Sequence, residues 1–219
     1  MTSPEVAAAD RRVLVVPLGS CEQHGPHLPL DTDTRLAVAL ANGVADARPD
    51  AVVAPAVAFG SSGEHEGFAG TLSVGTDALC LLLVELVRST RDVDHVVLLN
   101  GHGGNLDAVQ RATAQLIDEG RSVLALAPVV PGGDAHAGRT ETSLLLHLDP
   151  SVVRLDRLEA GNSEPLASLL PVLRTGGVRA VSANGVLGDP RGASAAEGAE
   201  LFDRLVAEFS ARIDQMVAR

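Results

Sequence analysis

The sequence predicts an α/β protein, a single three-layer α/β/α domain over residues 1–219 with a mostly parallel sheet. Three observations carry that expectation. Short apolar, β-branched runs alternate with stretches of helical period, as βαβ units require. Polar and glycine-rich clusters directly follow three of the strand-like runs, and in an open parallel sheet those carboxyl ends share the edge where ligands bind. A chain of 219 residues, 46% hydrophobic and 21% charged, has the length and balance for one buried core.

Each element can be read in order. Val13 to Pro17 is a buried strand by its flanks. From Thr34 to Ala47, Leu36, Val38, Leu40 and Val44 fit a helix, with Asp31 to Thr34 as cap candidates. Ala51 to Phe59 reads as a second strand, followed by a glycine- and serine-rich loop from Gly60 to Gly75. Thr76 to Arg91 is a helix with Asp77 in its first turn and arginines at its end, matching the helix dipole. His95 to Leu99 is a strand running into Asn100 to Gly104, and Asn105 to Glu119 a helix stopped by Gly120. Ser122 to Val130 is a further strand, Thr140 to Leu148 a short helix closed by Pro150, and Ala195 to Val217 a long terminal helix. Residues 151–193 read as loops with one strand around Val178 to Ser182. No repeat, linker or low-complexity tract interrupts the pattern.

Composition excludes several functions. The net charge is −11, which argues against nucleic acid or an anionic membrane as partner. All 17 basic residues are arginines, so neither a Schiff-base lysine nor a phosphate-loop lysine exists. Tryptophan and tyrosine are absent, which leaves any substrate pocket without their aromatic walls. Cys21 and Cys80 make no disulfide framework and suggest a reducing compartment. Met1 to Asp10 lacks the basic and apolar regions of a signal peptide, and the longest apolar stretch, Ala78 to Val87, is broken by Glu85. A cytoplasmic protein is expected.

The chemistry sits in three clusters. Glu22 and His24, two apart beyond the first strand, project to one side of an extended segment, and Asp33 follows at the mouth of the next helix. His102 lies in Asn100-Gly-His-Gly-Gly-Asn105, and His136 and Glu141 in His136-Ala-Gly-Arg-Thr-Glu141. Read alone, Asp33 serves equally well as a helix cap, and the glycines around His102 could cradle a phosphate, although no lysine follows them. Convergence of imidazoles and carboxylates on three strand ends favours a metal site. Such mixed ligation suits zinc, iron(II) or manganese, and two ions bridged by a carboxylate can activate one water. Cys21 alternates away from the Glu22 face and Cys80 lies in an apolar helix, so both read as structural. His27 reads as a packing or capping residue, and His95 and His147 as solvated.

The segments Pro17 to Asp33, Glu64 to Thr71, Asn100 to Asn105 and His136 to Glu141 strongly resemble the creatininase family, in the same order over about residues 13–148. The resemblance implies a homo-oligomeric, metal-dependent amide hydrolase. It implies one divalent ion on Glu22, Asp33 and His102 and a second on His24, Asp33 and a glutamate, with Asp33 as bridge and zinc or iron(II) as the ions, manganese being the alternative. Creatininase takes that glutamate from the position two after the motif histidine, which here is Gly104; Glu141 looks like the replacement. His136 matches the residue proposed to move protons at the scissile bond, with orientation of Glu141 as its other reading. Glu64 and His65 line the same edge as substrate contacts.

Creatininase itself closes on its flat substrate with tryptophans, which this chain lacks. The Cys21 variant, residues 132–143 and Asn184-Gly-Val-Leu-Gly-Asp-Pro190 look most like the branch that acts in mycofactocin maturation, implying release of a C-terminal dipeptide from a modified precursor peptide. Formamide hydrolysis on small molecules is the family's other option. An inactive metal-binding scaffold is a different class, and retention of every ligand type and of His136 speaks against it. For a peptide substrate, Arg139 and Arg191 are candidate anchors of the terminal carboxylate, or simply surface arginines.

Overall fold

A computed structural model of the chain describes residues 2–8 and 12–218. Its sheet consists of β1 (Val13–Leu18), β2 (Ala51–Val53), β3 (His95–Asn100) and β4 (Val123–Leu126), all parallel in the order β2–β1–β3–β4. The helices are α1 (Ser3–Ala8), α2 (Thr32–Ala47), α3 (Thr76–Arg88), α4 (Leu106–Asp118), α5 (Arg139–Leu148), α6 (Leu166–Gly176) and α7 (Ala195–Val217).

Strand alternation builds the three layers. Val13 and Val15 of β1, with Val97 and Leu99 of β3, face α2 and α7, where Leu40, Val44, Leu205, Phe209 and Ile213 are fully or almost fully buried. Val16 and Leu18, with Val96 and Leu98, face α3 and α4. A smaller cluster joins α5 to α2 and α7 through Leu36, Leu145 and Leu201. The apolar runs are thus strands covered on both faces, as a parallel sheet requires.

Several boundaries differ from the sequence reading. The second strand ends at Val53 because Pro55 interrupts it, although pairing resumes where Val57 donates to the Pro17 carbonyl at 2.9 Å. The fourth strand stops at Leu126, before Pro128, and α3 ends at Arg88. Asp31 does not cap α2 with its side chain; it accepts from Arg35 at 2.8 Å instead. The expected strand around Val178 to Ser182 is a 3-10 turn over Val178–Ala180, closed where Val181 N–H donates to the Val178 carbonyl at 3.1 Å. Ahead of it lies α6, which carries Pro171 in its interior and stops at Gly177, where φ is 68°. That proline concealed the helix from a sequence reading.

Phe209 closes the α2–sheet–α7 layer with no exposed surface. Phe209→Ala is expected to cost about 3–5 kcal/mol of unfolding free energy, measured by urea denaturation. Leu81→Ala on α3, at 62% exposure, serves as the control and should stay within about 0.5 kcal/mol.

Candidate metal centre

The centre lies where β1 and β3 end side by side, Leu18 opposite Asn100, and the first turn of α2 packs against both chain exits. Two glycines permit that approach. A Cβ on Gly19 would lie 2.4 Å from Thr34 Cα, and one on Gly101 would lie 2.6 Å from the Asp33 carbonyl oxygen. Asp33, in the first turn of α2, is therefore brought between the two strand ends and is buried.

Carboxylates and imidazoles alternate across the site. Glu141 Oε2 lies 4.0 Å from His24 Nε2, which lies 3.0 Å from Asp33 Oδ1. Asp33 Oδ2 lies 3.1 Å from His102 Nδ1, and His102 Nε2 lies 3.1 Å from Glu22 Oε2. The other Glu22 oxygen is 3.2 Å from His65 Nε2 and 3.8 Å from His136 Nδ1. Glu22 is fully buried, and imidazole nitrogens of His65 and His102 face its two oxygens. A desolvated carboxylate needs positive charge beside it, from imidazole protons or from a cation. Three donor sets converge closely enough to hold one: Glu22, Asp33 and His102; His24, His136 and Glu141; Glu22, His65 and His136. Glu22, Asp33 and His102, expected together from the sequence, recur as one of these sets, whereas His24 and Glu141 are grouped with His136 and not with Asp33.

Supporting groups orient these donors. Ser20 Oγ donates to Asp33 Oδ2 at 2.8 Å, and His24 Nδ1 faces the Glu22 carbonyl at 3.2 Å, leaving Nε2 for the centre. Ala137 N–H donates to Glu141 Oε2 at 2.6 Å from a left-handed backbone, φ 51°, where alanine is uncommon. The Asn100-to-Asn105 loop is tied by its own asparagines: Asn105 Nδ2 donates to the Gly19 carbonyl and to Asn100 Oδ1, both at 3.0 Å, and Asn100 Nδ2 donates to the His102 carbonyl at 2.7 Å. Gln23, Asn100 and Asn105 are the functional positions that the sequence reading passed over. Their positions within and at the ends of ligand motifs were the available signal.

Glu64 enters from a 3-10 turn, Gly63–His65, and its Oε1 lies 3.5 Å from His102 Nε2. It occupies the space left by Gly104, where a Cβ would come within 2.1 Å of that oxygen. His27 stands apart: it is buried and faces Thr142 Oγ1 at 2.9 Å. Cys21 Sγ contacts the Gly70 carbonyl at 3.6 Å and Cys80 is buried in α3, while His95 meets Ser122 Oγ at 2.7 Å. Arg139 Nε donates to both Glu197 oxygens, at 2.8 and 3.0 Å, and Arg191 is paired with Asp189. A cavity of about 270 Å³ reaches Asp33, His102, His136 and Glu141 past Leu36 and Leu144, and shares Val130, Asp134, Ala135 and Thr140 with a cleft of about 720 Å³ that Arg139 and Arg191 line.

Electrostatics follow from burial and pairing. Burial pushes Glu22 up to about 7, against the pull of His102, and likewise lifts Glu141 to about 7 against the pull of His24. Burial alone would lower His24 and His102. The charge of Asp33 and its hydrogen bond outweigh it at His24, raising it to about 10, and the hydrogen bond to Asp33 with the Glu22 charge raises His102 to about 9. Asp33 lies well below the usual carboxylate range: burial opposes ionisation, but both imidazoles favour it. His136 is driven well below its usual value by burial and by His24, and His65 falls to about 3 through burial and His102. Asp33 and its two flanking imidazoles thus each favour the other's charged form.

The creatininase family model, described as creatinine amidohydrolase, matches residues 1–213. A mycofactocin precursor peptide peptidase of Mycolicibacterium smegmatis is 55% identical over 207 residues, covering 92% of this chain and 84% of its own. A creatinine amidohydrolase of Pseudomonas putida is 30% identical over 184 residues, 70% of each chain. Among solved structures, a manganese creatininase superimposes with a TM-score of 0.80 at 26% identity, over 98% of this chain and 96% of that one. A mutant creatininase described as Zn-Zn type gives 0.80 at 26% identity, over 98% and 95%. The three-layer α/β/α fold is shared with these structures, and the chain belongs to the creatininase family.

Proposed function

We propose that the chain is a divalent-metal peptidase that releases the C-terminal dipeptide of a modified mycofactocin precursor peptide. The observation that carries this reading is the fully buried carboxylate of Glu22 within a close-packed set of imidazole and carboxylate donors, in a chain 55% identical to a peptidase of that name. Glu22, Asp33 and His102 would hold one ion, and His24, Asp33 and Glu141 would hold the second, Asp33 being common to both sets. Oxygen and imidazole nitrogen suit zinc, iron(II) or manganese. Bound ions supply Lewis acidity toward an amide carbonyl and a water acidic enough to attack near neutral pH.

The chain's own groups do the rest. His136 Nε2–H donates to the Gln23 carbonyl at 2.9 Å, so its bare Nδ1 faces the centre. Held neutral, His136 begins as a proton acceptor and returns that proton to the departing amine. Leu36 and Leu144 exclude water from one wall of the inner cavity, and the adjoining 720 Å³ cleft has room for the rest of a peptide. Arg139 reaches a terminal carboxylate only by exchanging Glu197 for it, so its pairing with substrate forms as the peptide binds. Glu64 and His65 border the same space. A second copy of the chain and a cytoplasmic setting belong to this reading; among the described residues no helix is long and apolar enough to cross a membrane.

Three outcomes test it. Asp33→Ala should lower the content of both ions together, read by elemental analysis after purification; loss of one alone, or none, contradicts the bridge. Above pH 7 the sign is fixed by Glu22, Glu141, His24 and His102, whose folded-state values all lie above their ordinary ones. The stripped fold then binds more protons than the unfolded chain, so its stability falls as pH rises toward about 10, whereas ion binding strengthens as protons leave. The Tm difference between loaded and stripped protein should widen from pH 7 to 9 in calorimetry. Finally, loaded protein incubated with the modified precursor should release a dipeptide detectable by mass, and should leave creatinine unopened. Creatinine turnover with an inert peptide overturns the assignment.

A further inference from the structure

The space around Glu22 offers more donors than two ions need, and the structure contains a group that decides among them. Gln23, between the ligands Glu22 and His24, is buried, and its side-chain amide meets four partners. Its Oε1 accepts from Gly25 N–H at 2.8 Å, and its Nε2 donates to the Gly185 carbonyl at 3.0 Å. Those two contacts fix the amide orientation, because a flipped amide would set oxygen against oxygen at Gly185 and N–H against N–H at Gly25. Nε2 also lies 3.0 Å from His65 Nδ1 and 3.1 Å from His136 Nε2.

Proton counting then settles both imidazoles. The main-chain carbonyl of Gln23 can only accept, so His136 Nε2, 2.9 Å away, carries hydrogen and cannot accept from the amide. The amide's two hydrogens go to the Gly185 carbonyl and to His65 Nδ1. His65 Nδ1 is therefore bare, and the His65 proton sits on Nε2, 3.2 Å from Glu22 Oε1. The two rings face the centre in opposite states, His136 with a lone pair on Nδ1 and His65 with a proton on Nε2.

We infer that Gln23 is a positioning residue that sets these tautomers and thereby removes the Glu22–His65–His136 set from competition for a metal ion. His65 becomes a hydrogen-bond donor beside Glu22, which holds that carboxylate toward Asp33 and His102. The device explains a motif otherwise without a role. Gly185, with φ 82°, leaves no room for a Cβ, which would stand 2.0 Å from Gln23 Oε1. Asn184 shapes the turn through Ser182 and Val186, and Leu187 N–H grips the His136 carbonyl at 2.8 Å. One segment thus holds both Gln23 and His136.

The inference rests on the metal assignment above but is tested apart from turnover. In protein with ¹⁵N-labelled histidine, stripped and zinc-loaded, ring-nitrogen shifts report the tautomers. Wild type should show His65 and His136 both protonated on Nε2. Gln23→Glu replaces the donor by an acceptor and should move the His65 proton to Nδ1, while Gln23→Met should give a mixture; His27, bonded elsewhere, is the internal reference. In peptide hydrolysis kcat should fall about 10–100-fold in both variants with KM little changed. A wild-type His65 protonated on Nδ1, or a His65 unmoved in both variants, overturns the inference. If Gln23→Glu does not fold, the wild-type assignment and Gln23→Met still decide. A wild-type protein inert toward the peptide, with the tautomers as described, overturns the substrate reading alone.

Discussion

The structure depends on one buried carboxylate. Asp33 is out of water between two imidazoles at the first turn of a helix, and the other carboxylates and imidazoles of the centre are ranged on either side of it. A lone ion in that position would cost several kcal/mol to desolvate. The cost is offset by Ser20, by His24 and His102, and by the positive end of the α2 dipole. These partners arrive from separate strand ends. The parallel sheet brings those ends level, and the missing side chains of Gly19 and Gly101 let the helix close on them. A bulge of one methyl at either glycine would push α2 off the sheet edge.

Much of this was legible in the residues. The period of the strands and of α2, α4, α5 and α7 was clear because each has an unbroken apolar face, and the terminal helix has the expected bounds, Ala195–Val217. The ligand types stood out because charged and imidazole side chains directly after apolar strands have few structural uses. What stayed hidden was of two kinds. The helix at Leu166–Gly176 was obscured by Pro171 and by a face that buries only Leu169, so no apolar stripe announced it. Asn105 and Gln23 act through hydrogen bonds to main-chain atoms far along the chain and Asn100 through bonds inside its own loop, and neither kind leaves a periodic trace.

The backbone at Gly104 admits no side chain at all. A glutamate at position 104 could not stand in this backbone, since its Cβ would fall on the Ser61 carbonyl and on His102 as well as on Glu64. The carboxylate facing His24 comes instead from the first turn of α5, directed there by the left-handed Ala137.

Glu64 carries this exchange one step further. With Glu22, Asp33 and Glu141 it makes four carboxylates around the imidazoles. Three of the four are built into strand exits and helix starts. The fourth hangs on a short turn held from outside, by Gly177 packed against the Glu64 carbonyl and Arg179 bonded to the Gly67 carbonyl at 2.6 Å. It is also the most open of the four to solvent, its side chain 31% exposed against 20% for Glu141. Charge at the rim of the centre is therefore set by a residue whose turn is anchored elsewhere in the chain.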